Sequence, residues 1–114
     1  MVPDIFNLLT PLKTKPTEEV FEEQFRGASF RVERIVSTGQ ATPAGEWYDQ
    51  KEAEWVVLLS GSAVLRFEGE AESRTLIPGD AVNIPAFCRH RVEATAADRE
   101  SVWLAIHYEA VENG

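Results

Sequence analysis

Imidazole and thiol side chains are scarce in this chain of 114 residues, which has two histidines, His90 and His107, and one cysteine, Cys88. An imidazole titrates near neutral pH, so either histidine can act as a general acid or base or as a metal ligand. Cys88 precedes Arg89 in a predicted turn, where the guanidinium could favour a thiolate; the alternative is a small packed side chain. What these groups can do depends on the strand faces that carry them.

Alternation along residues 48–58 predicts a strand that begins polar and becomes apolar on both faces. Successive side chains of a strand point to opposite faces, so Tyr48, Gln50 and Glu54 share one face. A bulge within residues 49–53 would turn the first two outward. This face is therefore the first candidate lining of a functional cavity.

A similar alternation along residues 103–108 places His107 on the same face as Trp103 and Ala105. If that face lines the interior, His107 joins the candidate site as an acid or base. A surface position near the end of a strand is the alternative.

Short runs rich in β-branched and aromatic residues follow one another from Glu18 onward, broken by Gly, Pro or Asp. This spacing is typical of an all-β sandwich or barrel, and no helical periodicity competes with it. The predicted strands are Glu18–Phe25, Ser29–Ser37, Glu46–Asp49, Ala53–Leu59, Ser62–Glu68, Glu72–Leu76, Ala81–Ile84, His90–Ala94 and Ser101–Glu109. The predicted core contains Val56, Leu58, Leu65, Phe67, Ile84 and Val92.

The opposite face of the predicted strand carries Trp55, Val57 and Leu59, so both of its faces are apolar. A strand of this kind is covered on both sides. The cover is either a second subunit, which predicts a homodimer, or the chain's own N-terminal arm. Residues 1–17 form that arm, which has a short apolar patch.

Composition excludes several partners. A net charge of −8 and a pI near 4.7 disfavour binding to nucleic acid or to anionic membranes. No apolar run approaches the roughly 18 residues of a membrane span, and the N-terminal residues lack a signal-peptide pattern. A single cysteine cannot form an internal disulfide. The simplest interpretation is a soluble, cytoplasmic protein whose partner is a small-molecule ligand.

Two segments resemble the paired motifs of the cupin superfamily. In the first, Glu54 is followed after six residues by Gly61; in the second, Gly79 is followed by Pro85 and then by His90. This resemblance implies a double-stranded β-helix, the jelly-roll barrel of cupins, over residues 18–114 as a single domain after the arm. It is specific for the fold and weak for activity, because one fold supports many functions.

The resemblance also implies a metal site, since cupins usually bind a metal through two histidines and a glutamate of the first motif and a histidine of the second. Glu54 and His90 match, whereas the two histidine positions fall on Tyr48 and Gln50, or on Trp47 and Asp49 if the loop is one residue longer. The implied metal ligands are then Gln50, Glu54 and His90. This set suits a weakly held divalent ion better than a tight iron or copper site. The alternative is a metal-free site in which Glu54 and His90 form a hydrogen bond with each other.

Three functions follow. The first is a small cupin whose barrel mouth binds a ligand or a weak metal, with its activity undetermined. The second is a metal-dependent enzyme of the dioxygenase, isomerase or lyase type, acting on a small organic acid or aromatic compound. The third is metal-free acid–base catalysis, such as isomerisation, by His90, Tyr48 and His107. The sequence names no substrate.

Overall fold

A computed structural model describes residues 1–111, which form eight β-strands. The strands are β1 (Val20–Arg26), β2 (Phe30–Ser37), β3 (Ala53–Ser60), β4 (Ala63–Phe67), β5 (Arg74–Leu76), β6 (Ala81–Ile84), β7 (His90–Thr95) and β8 (Ser101–Tyr108). The all-β prediction is confirmed, and eight of the nine predicted strands occur with ends shifted by at most two residues. Within residues 1–111 there is no helix long and apolar enough to cross a membrane.

The larger sheet has five antiparallel strands in the order β1-β2-β8-β3-β6. Across it, Arg31 of β2 pairs with His107 of β8, and His107 pairs with Glu54 of β3. Glu54 pairs in turn with Ile84 of β6. Paired residues of neighbouring strands project from the same face. The register therefore aligns these four side chains in one row.

The smaller sheet has the order β5-β4-β7. The predicted strand Glu46–Asp49 is wrong, because only Tyr48 makes a β-bridge, to His90 at the edge of β7. A turn at residues 44–45 and a bend at residues 51–52 leave too short an extended stretch for a ladder. The chain nevertheless reaches the edge of the smaller sheet at Tyr48.

The hydrophobic core lies between the two sheets and confirms the predicted core. Val56, Leu58, Leu65 and Ile84 are at most 4% exposed. The remaining two predicted members, Phe67 and Val92, are partly buried and pack against this cluster. Complete burial of such a side chain contributes roughly 1.5–3 kcal/mol to folding.

The β3–β4 hairpin requires glycine at its turn. Gly61 has φ +86°, and a Cβ built there would lie 2.5 Å from Cα of Ser101 on β8. A larger residue would be strained and would also push the turn away from β8. The glycine of the first motif thus fixes the end of the strand that carries Glu54.

The outer face of the larger sheet is apolar and only partly covered. Arg34 on this face is 8% exposed, and its Nη1 donates to the carbonyl oxygens of Leu8 and Thr10. The arm therefore lies against β2 on the outside of the sheet. On β3, by contrast, Trp55 is 36% exposed and Val57 is half-buried.

Candidate functional site

A cavity of about 250 Å³ lies between the two sheets. All five residues predicted for the site line it: Tyr48, Gln50, Glu54, His90 and His107. The three side chains predicted to share a face therefore reach the same cavity, although Tyr48 and Gln50 lie on a loop before β3 and a bend interrupts the stretch. His107 lines the interior and is 4% exposed, so its surface alternative is wrong.

The cavity is polar along one row of the larger sheet and apolar further along the same strands. The polar row contains Arg31, His107 and Glu54. Four residues along β2 and β8 from that row, Ile35 pairs with Trp103, and both line the cavity. A ligand here can contact charged groups and hydrocarbon at the same time.

Glu54 is a buried carboxyl group, and the positive charge of Arg31 offsets only part of the effect of burial on its pKa. It is 8% exposed, and its Oε1 lies 3.8 Å from Nε2 of His90, beyond hydrogen-bond distance. Burial raises the pKa of Glu54 to about 7, and repulsion from Glu33 acts in the same direction. Glu54 can therefore carry a proton near neutral pH.

His90 faces Glu54 from the smaller sheet. Its Nδ1 lies 2.9 Å from the carbonyl oxygen of Cys88, to which it donates in the neutral ring. This hydrogen bond leaves Nε2 as a proton acceptor on the side of Glu54. Burial lowers the pKa of His90, and the ring stacks on Tyr48 with centroids 5.5 Å apart. Packing and hydrogen bonding thus hold a neutral imidazole in a fixed orientation.

His107 has an incomplete set of partners. Its Nε2 lies 2.7 Å from Oε1 of Glu33 but off the direction of a good hydrogen bond, and its buried Nδ1 has no partner among the described residues. Burial lowers the pKa of His107 and the nearby Arg31 lowers it further, while Glu33 opposes both. A neutral ring beside a carboxylate places its proton on Nε2, so Nδ1 is a free acceptor.

Tyr48 and Gln50 reach the cavity on a loop that is held at several points. Tyr48 exchanges two backbone hydrogen bonds with His90, and the carbonyl oxygen of Gln50 accepts from the backbone N–H of Phe87. Arg91 donates from its guanidinium to the carbonyl oxygens of Thr42, Pro43 and Glu46. Arg91 is therefore a positioning residue for this loop. Burial raises the pKa of the Tyr48 phenol, which keeps it protonated.

Three charged residues of the cavity were missed by sequence reasoning: Glu19, Arg31 and Glu33. Polar residues occur on both faces of β2, so alternation alone does not tell which face is inside. Ser37 donates to Glu19, and burial raises the pKa of Glu19 more than this hydrogen bond lowers it. Only the register with β8 reveals that Arg31 and Glu33 belong to the site.

The residues fit a metal ion poorly. In the part of the chain that the structure describes, no three His, Cys, Asp or Glu side chains are arranged to hold one. A metal bound by Glu54 and His90 would need the amide oxygen of Gln50, a weak donor, to complete the predicted set. We therefore derive no chemical step through a metal, and the weak metal site stays a prediction.

Comparisons with known proteins agree on the fold. No family model matches the chain, and no curated protein matches it. A crystal structure from Ralstonia eutropha JMP134, provisionally named a mannose-6-phosphate isomerase, is 41% identical, with a TM-score of 0.90 over 95% of this chain and 100% of that one.

Two more distant structures share the architecture. A cupin superfamily protein from Desulfitobacterium hafniense DCB-2 is 14% identical, with a TM-score of 0.69 over 87% of this chain and 84% of that one. An RmlC-like cupin family protein with a double-stranded β-helix fold, from Methanocaldococcus jannaschii, is 13% identical. Its TM-score is 0.68 over 96% of this chain and 93% of that one. At these identities the likeness concerns the fold alone. The predicted double-stranded β-helix is confirmed.

Proposed function

The chain belongs to the cupin superfamily, and on that premise we propose that its cavity binds a small organic molecule and transfers protons on it through Glu54 and His90. The observation that carries this proposal is the placement of the two groups on opposing sheets, with Oε1 and Nε2 3.8 Å apart at one cavity. A ligand atom that bridges this gap can receive a proton from one group and give a proton to the other.

The two groups are suited to opposite roles. Burial keeps Glu54 protonated up to about pH 7, which makes it the acid. His90 is neutral and presents an unprotonated Nε2, which makes it the base. Tyr48 and Gln50 add hydrogen-bonding groups beside the pair. No metal is needed for this chemistry, and a divalent ion held by Gln50, Glu54 and His90 stays the alternative.

The reaction class that this pair suits is isomerisation next to a carbonyl group. His90 removes a proton from a hydroxyl-bearing carbon beside the carbonyl while Glu54 protonates the carbonyl oxygen, which gives an enediol. His90 then returns the proton to the former carbonyl carbon while Glu54 takes the proton of the other hydroxyl group, so both residues return to their starting states. The Ralstonia protein, 41% identical, carries the name of an isomerase. We take the reaction class from this likeness and leave the substrate open.

Hydrogen exchange tests the proposal without knowledge of the substrate. The protein is incubated in D₂O with dihydroxyacetone or aminoacetone, and loss of the proton NMR signal beside the carbonyl is followed. We expect catalysed exchange that is lost in His90→Ala and in Glu54→Gln. It should be retained in Glu72→Gln, which changes an exposed carboxylate before β5.

Two outcomes would contradict parts of the proposal. Exchange that is unaffected by His90→Ala would remove His90 as the base. Exchange that a chelator abolishes and an added divalent ion restores would replace the metal-free mechanism with the metal-dependent alternative.

We also propose that two copies associate as a homodimer through the outer face of the larger sheet. Trp55 is 36% exposed there, and the arm adds exposed apolar side chains at Ile5 and Phe6. Apolar patches of this kind mark interaction surfaces more often than free surfaces. The arm lies on β2 of its own sheet through the hydrogen bonds of Arg34, so the exposed part of β3 is left for the partner.

A further inference from the structure

The polar row of the cavity is rich in hydrogen-bond acceptors. Nε2 of His90 and Nδ1 of His107 carry lone pairs, and the carboxyl groups of Glu19, Glu33 and Glu54 line the same space. An ionised carboxylate only accepts hydrogen bonds, as does an unprotonated ring nitrogen; the carboxyl group of Glu54 can also donate one while it holds its proton. A ligand that satisfies this surface must therefore bring donors.

The charges of the cavity also favour a ligand that carries hydrogen-bond donors and a positive charge. Arg31 is the only Lys or Arg among the described residues that line it, and its Nη1 lies 2.5 Å from Glu52, which does not line the cavity. Carboxyl groups thus outnumber the one paired cation, in a chain of net charge −8. Such a field attracts cations and repels anions.

His107 carries a hydrogen-bond acceptor that has no donor among the described residues. The residue is 4% exposed, it lines the cavity, and its Nδ1 has no hydrogen-bond partner within residues 1–111. Buried polar atoms are almost always paired, because an unpaired one lowers the stability of the fold. A ligand N–H group would pair this nitrogen.

From these observations we infer that the ligand carries a primary ammonium group, which donates to His107 Nδ1 and is neutralised by Glu33. This inference rests on the proposed function for the use of the cavity and adds the charge of the ligand. The hydrocarbon of the ligand would lie on the apolar wall formed by Ile35 and Trp103. A phosphate ester, which brings negative charge and acceptors, is excluded by the same groups.

Three probes with the same hydrocarbon chain test the inference: n-butylammonium, n-butanol and n-butyl phosphate. Binding is followed at the indole N–H resonance of Trp103 and at the ring resonances of His107. We expect n-butylammonium to bind about tenfold more tightly than n-butanol, and n-butyl phosphate to leave both sets of signals unchanged.

Isosteric variants test whether the carboxylates of the cavity cause the tighter binding of n-butylammonium. Glu33→Gln should weaken n-butylammonium binding about tenfold and leave n-butanol binding unchanged, whereas Glu72→Gln, which removes an exposed charge, should alter neither. An unchanged wild-type pattern for the remaining amide signals confirms that each variant is folded.

The outcomes separate this inference from the proposed function. If n-butanol or n-butyl phosphate binds as tightly as n-butylammonium, the ammonium assignment is wrong while the cavity remains a ligand site. If none of the probes changes the signals, the assignment is also wrong, and the exchange experiment on His90 and Glu54 decides the proposed function independently.

Discussion

Successive residues along each strand of the larger sheet point to opposite sides of it, and these two sides carry different kinds of side chain. The inner side carries the row Arg31, His107 and Glu54, with Glu33 beside it. The outer side of β3 carries Trp55 and Val57. Charged groups are thus buried while large apolar groups are partly exposed, the reverse of the usual arrangement.

We propose that this difference reflects two partners, a small ligand on the inner side and a second copy of the chain on the outer side. Buried polar groups lower stability unless they are paired, so Glu54 and His107 are costly unless a ligand interacts with them. Exposed apolar groups lower solubility unless they are covered. A small polar ligand would satisfy the groups of the inner side, and a second protein surface would cover those of the outer side.

The largest effect is expected from a charge on the outer side. Val57→Glu places a carboxylate in the proposed interface, where its desolvation should weaken dimerisation at least 100-fold, or by about 3 kcal/mol. Sedimentation should change from twice 12.8 kDa to 12.8 kDa at micromolar concentration. Deletion of residues 1–14 should also weaken association if the arm crosses to the partner.

A matched variant controls for the added charge. Val64→Glu makes the same change at a half-buried position of β4 in the smaller sheet, and it should leave the mass unchanged. A wild-type protein that sediments near 12.8 kDa would show that the outer side is not a dimer interface.

The next effect concerns stability on the inner side. The pKa of Glu54 is raised from its usual 4.5 to about 7 in the folded protein, so the folded state binds the proton more tightly than the unfolded state. Its contribution to stability is therefore complete below pH 4.5 and is lost as pH rises to about 7. At about 1.4 kcal/mol per pKa unit the loss is about 3 kcal/mol.

Glu54→Gln removes this titration. Urea unfolding between pH 5 and pH 8 should show that the wild type loses up to about 3 kcal/mol relative to the variant. Glu72→Gln should follow the wild-type profile. Parallel profiles of the wild type and Glu54→Gln would mean that Glu54 is ionised throughout and does not serve as an acid.

The alternation of polar and apolar residues predicted the features that depend on a single strand. It did not predict those that depend on how neighbouring strands pair. Alternation predicted that Tyr48, Gln50 and Glu54 face the same side, and all three line the cavity, although the first two lie on a loop before β3. Arg31 and Glu33 were missed because their membership depends on the pairing of β2 with β8, which periodicity does not specify. His90 was placed correctly only through the resemblance to cupins, since it lies on the opposing sheet.

The failed strand at Glu46–Asp49 has a local cause. Its sequence alternates, but the turn before it and the bend after it allow only the single bridge of Tyr48 to His90. The segment instead depends on Arg91, whose guanidinium holds the preceding carbonyl oxygens. Long-range contacts of this kind leave no signal in a window of a few residues.

The smallest expected effect concerns the turn between β6 and β7, which holds the loop that carries Gln50. Phe87 has φ 62° and is 69% exposed, and its backbone N–H donates to the carbonyl oxygen of Gln50. Cupins usually have glycine at this position, where a side chain in the left-handed region costs about 1–2 kcal/mol. Phe87→Gly should therefore stabilise the fold by about 0.5–1 kcal/mol, after allowance for the greater freedom of glycine in the unfolded chain.

Phe87→Ala separates the backbone from the ring, because it removes the aromatic group but keeps the Cβ. In thermal unfolding, Phe87→Gly should melt above both the wild type and Phe87→Ala if strain is responsible. Equal melting temperatures for the two variants would assign any change to loss of the exposed ring instead. Since the turn holds Gln50, a gain in stability with slower exchange at the carbonyl probes would mean that the strained backbone keeps the inner side in its working geometry.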